Sequence, residues 1–129
     1  MEIVVHENRL KEAVQVSVKL TTRQVGDVTV IDAAGRITLG EGASAFREAI
    51  RDIAAKGNAK VLLNLSEITY IDSSGIGELV SGFTSVRNQG GVLKLMGLTK
   101  RVQDLLQITK LYTVFDVYDD EATAIRSFA

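Results

Sequence analysis

The run Val61-Leu62-Leu63-Asn64-Leu65, followed by Ile76, Leu79, Val80, Phe83 and Val86, constrains the fold more than any other feature of the chain. A short, almost continuous apolar run reads as a central strand covered on both faces. Apolar residues at three- and four-residue steps read as an amphipathic helix laid against it. The same alternation surrounds this pair. Phe46, Ile50, Ile53 and Ala54 recur at helical steps before the strand, between Ala43 and Lys56, and Gly57 stands where a left-handed cap is expected. Val92 to Met96 reads as the next strand. Thr99 then caps a helix carrying Val102, Leu105 and Leu106. Val114-Phe115-Asp116-Val117 reads as a last strand, and Asp119 or Asp120 caps a final helix with Ala122, Ile125 and Phe128. Strands alternating with helices imply right-handed crossovers and a mostly parallel sheet.

The opening is different. Val14, Val16, Val18 and Leu20 alternate with polar residues, the period of a half-buried strand. Gly26-Asp27 supplies turn chemistry, and Val28, Val30 and Ile31 continue as a second strand to about Ala34, so the two form an antiparallel hairpin. Gly35 to Gly42 reads as a loop, Ser66 to Asp72 as a connecting segment, and Ser73 to Arg87 as a helix ended by Gly90-Gly91. The expected fold is one α/β domain over residues 15–129, with a mixed, mostly parallel sheet opened by the hairpin and four helices. Its expected core includes Val61, Leu63, Leu65, Leu79, Phe83, Leu93 and Leu95. Residues 1–14 show no clear period and read as an extension: a short strand, a frayed helix or a disordered segment.

Composition excludes several functions. With 15 Lys+Arg against 16 Asp+Glu, the net charge is −1, too small a field to gather nucleic acid or an anionic membrane. The chain has no cysteine and one histidine, His6, so disulfides, thiolate catalysis and Cys- or multi-His-ligated metals are ruled out. No run approaches the roughly 20 apolar residues that span a bilayer, and Met1 to His6 lack the features of a secretory signal. A cytoplasmic protein without membrane insertion is expected.

The stretch with chemical content is Tyr70-Ile71-Asp72-Ser73-Ser74-Gly75-Ile76-Gly77-Glu78, where the central strand hands over to the helix. Asp72, Ser73 and Ser74 are all good helix caps, although one would suffice. Gly75 and Gly77 each cost about 1 kcal/mol relative to alanine in a helix. A well-capped helix with glycines for tight packing accounts for this on structural grounds. Functional readings compete with it. Gly75 and Gly77 begin a dinucleotide fingerprint, but Val80 occupies its third glycine position; a P-loop would need a Gly-Lys-Ser/Thr ending. A nucleophilic serine would need a base, and His6 is far away in sequence. A serine that receives a phosphoryl group remains, because a helix N-terminus favours added negative charge. No cofactor and no enzyme activity are expected. Asn64 reads as a satisfied strand group, and Asp119-Asp120-Glu121 as helix caps rather than a metal site.

Asp72-Ser73-Ser74-Gly75-Ile76-Gly77 between a buried strand and an amphipathic helix resembles the signature of STAS domains, specifically bacterial anti-sigma factor antagonists. The resemblance extends over roughly Val16 to Ala129. It implies partner switching. The unphosphorylated antagonist binds an anti-sigma factor that is also a serine kinase, which frees the sigma factor and so regulates transcription. Phosphorylation of the antagonist's serine breaks the complex, and a serine phosphatase resets it. By motif position the phosphoacceptor is Ser73, with Ser74 as the alternative. Asp72, Ser74, Gly75, Ile76 and Gly77 are the implied partner-binding residues, joined by Thr38 and Leu39 in the loop after the second strand. Many antagonists carry Asp where Thr38 stands. Lys100 and Arg101 are a further candidate contact for a partner. The alternative function is a non-switching, nucleotide-binding STAS scaffold in a signalling or transport complex. The oligomeric state, monomer or weak dimer, is open.

Overall fold

The computed structural model describes residues 2–6 and 16–129. The elements, in chain order, are β1 (Glu2–His6), β2 (Val16–Val25), β3 (Val28–Ile37), α1 (Glu41–Ala54), β4 (Lys60–Ile71), α2 (Ser73–Asn88), β5 (Val92–Met96), α3 (Lys100–Ile108), a 3₁₀ turn (Tyr112–Val114), β6 (Val117–Tyr118) and α4 (Glu121–Arg126). All six strands form one sheet in the order β1-β2-β3-β4-β5-β6. β2 is antiparallel to both its neighbours, β1 and β3, and β3 to β6 are parallel. This is the mixed α/β architecture with four helices that the alternation predicts. The hairpin closes between Val25 and Val28, with Gly26 at φ 63°, a conformation that favours glycine.

The structure selects the short strand among the alternatives for the first residues and departs from the sequence reading elsewhere: β3 runs on to Ile37 and α1 starts at Glu41, so the expected loop from Gly35 to Gly42 shrinks to residues 38–40. Glu2–His6, part of the expected extension, forms an edge strand: Glu2 pairs with Thr21, Ile3 with Leu20 and Val4 with Lys19. The rest of that extension and the expected strand start at Val14 lie outside the described residues. The supposed connection Ser66 to Asp72 is mostly strand, since β4 runs unbroken to Ile71. Its apolar alternation is hidden by two irregularities in register against β3, between Asp32 and Ala34 and between Gly35 and Arg36. Asn64 holds the first of these. Its Oδ1 accepts from the Ser66 amide at 3.0 Å and the Ser66 hydroxyl at 2.8 Å, while its Nδ2 donates to Asp32 at 2.8 Å, so it is a satisfied strand group. The last strand is only Val117–Tyr118. The chain before it makes a 3₁₀ turn that drives Phe115 into the core. In α4 the buried residue is Ala124; the expected Ala122 is exposed. Asp120 caps that helix, accepting from the Thr123 amide at 2.8 Å.

The core has two unequal layers. Val61, Leu63 and Leu65 of β4 face α1, α2 and α3, packing with Phe46, Ile50, Leu79, Val102 and Leu106. Leu62 points to the other face and joins Val28, Val30, Met96 and Ala124 beneath α4. The expected core residues are buried, with the exception of Phe83, which is half-buried and meets Phe115 edge-on at 5.4 Å. Leu63 is fully buried. Leu63→Ala is expected to cost about 3 kcal/mol in urea melts; a loss below about 1 kcal/mol would place the centre of the core elsewhere.

An ion-pair cluster ties α4 to the hairpin. Arg23 bonds Asp32 at 2.6 Å and Glu121 at 3.0 Å. Both carboxyls are held below the ordinary carboxylate range, first by hydrogen bonds from Arg23. A depressed folded-state pKa contributes stability above the unfolded value, and that contribution is lost as the pH falls. Acidification below about pH 4 is therefore expected to destabilise wild type more than Arg23→Gln. Parallel acid-melting curves for the two would show that the cluster contributes nothing.

Candidate functional site

The carboxyl ends of β3 and β4 lead into α1 and α2, the place where parallel α/β sheets commonly meet their ligands and partners. Two connections converge here, Thr38–Gly40 before α1 and Asp72 before α2. Asp72 joins them. Its Oδ1 accepts from the Gly75 amide at 2.9 Å, capping α2, and its Oδ2 accepts from the Leu39 amide at 3.2 Å. One carboxylate thus satisfies an otherwise unpaired helical N–H and fixes the neighbouring loop.

The three adjacent cap candidates are thereby resolved. Asp72 is the cap, and the hydroxyls of Ser73 and Ser74 make no hydrogen bond among the described residues. Ser73 is exposed and Ser74 half-buried. Leu39 stands nearby with 78% of its surface exposed. Thr38 is half-buried, and its carbonyl accepts from the Ala43 amide at 3.0 Å, helping to start α1.

The two glycines separate sharply. Gly75 is buried, and a Cβ there would lie 2.3 Å from the Ile37 carbonyl oxygen and 2.6 Å from Ile71 Cγ1. It is the close-packing glycine that lets α2 start against the ends of β3 and β4. Gly77 is exposed, and a Cβ there would meet nothing within 4 Å. Ile76 is buried at 3% exposure. Of the implied contact residues, Ser73, Gly77 and Leu39 therefore form the open surface, Ser74, Thr38 and Asp72 border it, and Gly75 and Ile76 lie beneath.

Two neighbouring features escaped the sequence reading. Glu78, one turn beyond Ser74, is bound by Arg47 of α1 at 2.7 Å and is mostly buried. Tyr70, near the end of β4, lies under two guanidinium groups, Arg36 at 4.6 Å and Arg101 at 4.0 Å from its ring centre. Arg101 stands among the candidate partner contacts of the sequence, but its meeting with Arg36 over Tyr70 depends on register and on the docking of α3. Among the described residues, no group of three acidic or histidine side chains is placed to hold a metal, and no helix is long and apolar enough to cross a membrane.

Known proteins share this fold and part of this sequence. The STAS domain family matches residues 19–124. The anti-sigma-B factor antagonist of Bacillus subtilis (strain 168) is 36% identical over 87 residues, covering 67% of this chain and 78% of that protein. The structure of an anti-sigma-factor antagonist (STAS) domain protein from Planctomyces limnophilus superposes with a TM-score of 0.70 at 26% identity, covering 84% of this chain and 96% of the other. The Bacillus cell fate determinant SpoIIAA in its phosphorylated form shares the fold, with a TM-score of 0.68 at 18% identity over 85% of this chain and 99% of that one. Sheet order, the capped start of α2 and these matches together show that the chain belongs to the STAS domain family and is a relative of the anti-sigma factor antagonists.

Proposed function

We propose that this protein is a cytoplasmic anti-sigma factor antagonist, with no catalysis of its own, that binds a serine-kinase anti-sigma factor and is released when Ser73 is phosphorylated. A serine phosphatase restores the binding form. The observation that carries this reading is the exposed, unbonded Ser73 hydroxyl at the first position of α2, on a frame that Asp72 fixes through Gly75 and Leu39. A hydroxyl needed for neither capping nor packing is free to be modified.

Ser73 is favoured over Ser74 on electrostatic grounds. Ser74 is half-buried, and the residue four positions on is Glu78, whose carboxylate already occupies Arg47. Residues four apart are neighbours on a helix, so a phosphate on Ser74 would face that carboxylate. The residue four positions after Ser73 is Gly77, which is open to solvent. A phosphate on Ser73 would also lie at the positive end of the α2 dipole, worth roughly 0.3–2 kcal/mol, so the free domain stays folded.

The reading is tested by titrating the purified protein against the kinase-type anti-sigma factors of its own genome. One of them is expected to bind the unphosphorylated form and to release its sigma factor. If none binds, while each still binds another antagonist, the antagonist function is wrong and the non-switching scaffold takes its place.

A further inference from the structure

The end of the sheet beside Ser73 carries a cluster that the switch does not use. Arg36 of β3 is the register partner of Tyr70 on β4, and Arg101 is the second residue of α3. Both arginines are exposed, and both guanidinium groups lie over the half-buried Tyr70 ring, at 4.6 and 4.0 Å. Neither is paired with a carboxylate among the described residues. Arg23, Arg47, Lys60 and Lys100, by contrast, each hold a carboxylate.

Two like charges held on one ring repel each other. Their attraction to the ring face compensates only in part at an exposed site. An arginine that makes no ion pair keeps its planar fork of N–H donors available, and that fork matches a carboxylate in bidentate fashion. The patch therefore combines excess positive charge and unpaired N–H donors gathered around one aromatic ring. Its surroundings suit a protein rather than a small anion: Leu39, 78% exposed, lies three residues along the chain from Arg36, and a free anion gains nothing from an apolar side chain.

The geometry points to Arg36, Tyr70 and Arg101 as a docking patch for an acidic segment, with Asp or Glu side chains, on the anti-sigma factor. This rests on the antagonist reading for the identity of the partner but not for the chemistry of the patch. Arg36 and Arg101 grip carboxylates of the partner, while Leu39 and Gly77 meet its surface nearer the serine.

Two measurements separate these layers. In the first, the labelled full chain is titrated at low salt with hexaglutamate and followed by NMR. The Nε–Hε signals of Arg36 and Arg101 and the Tyr70 ring signals are expected to shift saturably. Arg51 and Arg87, also exposed, stay still, although Arg87 lies 6.0 Å from the Phe83 ring centre. R36Q/R101Q abolishes the response, and salt weakens it in wild type. No shift, or equal shifts at Arg51 and Arg87, overturns the patch. In the second, an anti-sigma factor that binds wild type is expected to bind R36Q/R101Q about tenfold more weakly, the scale for two exposed charge pairs. R36K/R101K keeps the charge but loses the fork, and falls between the two. Equal binding by wild type and R36Q/R101Q overturns the docking role. A saturable hexaglutamate response in a chain that binds no anti-sigma factor keeps the acidic-segment patch and overturns the identity of the partner.

Discussion

Gly75→Val is expected to destabilise the domain by about 4 kcal/mol, beyond the roughly 1–3 kcal/mol of ordinary overpacking. The added Cβ would approach a backbone oxygen, Ile37 O, to 2.3 Å and Ile71 Cγ1 to 2.6 Å, and a valine adds two more carbons to that space. A flexible side chain can swing aside, but the carbonyl at the end of β3 cannot do so without moving the strand. Even Gly75→Ala carries the Cβ clash. Gly77→Ala should behave in the opposite way. With nothing within 4 Å, replacing a glycine inside α2 by alanine stabilises the helix by about 1 kcal/mol. Urea melts of the two alanine variants check this directly. A Gly75→Ala protein as stable as wild type would mean that α2 does not start against Ile37.

Ser73→Asp is expected to weaken binding to the anti-sigma factor about a thousandfold, while the protein remains folded. The substitution places a charge at an exposed first helical position, where the dipole of α2 offsets its repulsion from Asp72 within the free domain. In the complex the same charge must be desolvated against a surface shaped for a hydroxyl. A mismatch of about 4 kcal/mol gives the thousandfold loss. Ser73→Ala lacks the acceptor but adds no charge, so it should bind as wild type does and persist in the complex when kinase and ATP are present. Calorimetric titration with the three proteins, together with circular dichroism of each, separates lost binding from lost fold.

Much of this architecture is legible in the sequence because its signals are local. The run Val61–Leu65, the stripe from Ile76 to Val86, the Gly26-Asp27 turn and the cap at Thr99 each depend on residues close along the chain. Thr99 accepts from the Val102 amide as the pattern predicts. Tertiary demands decide what was missed. The second half of β4 reads as a connection because its pairing with β3 skips residues, which breaks the alternation that marks a strand. Residues 2–6 carry no clear period and gain their strand identity from the edge of β2. Lys94 stands in an apolar strand without a local reason. Its ammonium donates to the Ser127 carbonyl and hydroxyl, both at 2.9 Å, and lies over Phe128 at 4.8 Å, so it secures the end of α4.

The candidate site divides in the same way. Asp72-Ser73-Ser74 was legible as a helix start, but which oxygen caps the helix is a matter of geometry, and only that answer leaves Ser73 free. Gly75 and Gly77 look equivalent in sequence. One is held against Ile37 and the other faces solvent because α2 turns roughly 200° between them, two steps of a helix with 3.6 residues per turn. Arg36, Tyr70 and Arg101 come from three separate elements, so no spacing announces them.

Phosphosite mapping tests the central claim most directly. The protein is incubated with its cognate kinase-type anti-sigma factor and ATP, then digested and fragmented by mass spectrometry. A single phosphate on Ser73, absent from Ser73→Ala and accompanied by dissociation of the complex, is the predicted result. A phosphate on Ser74 alone, or none from a kinase that modifies another antagonist in the same assay, would contradict it.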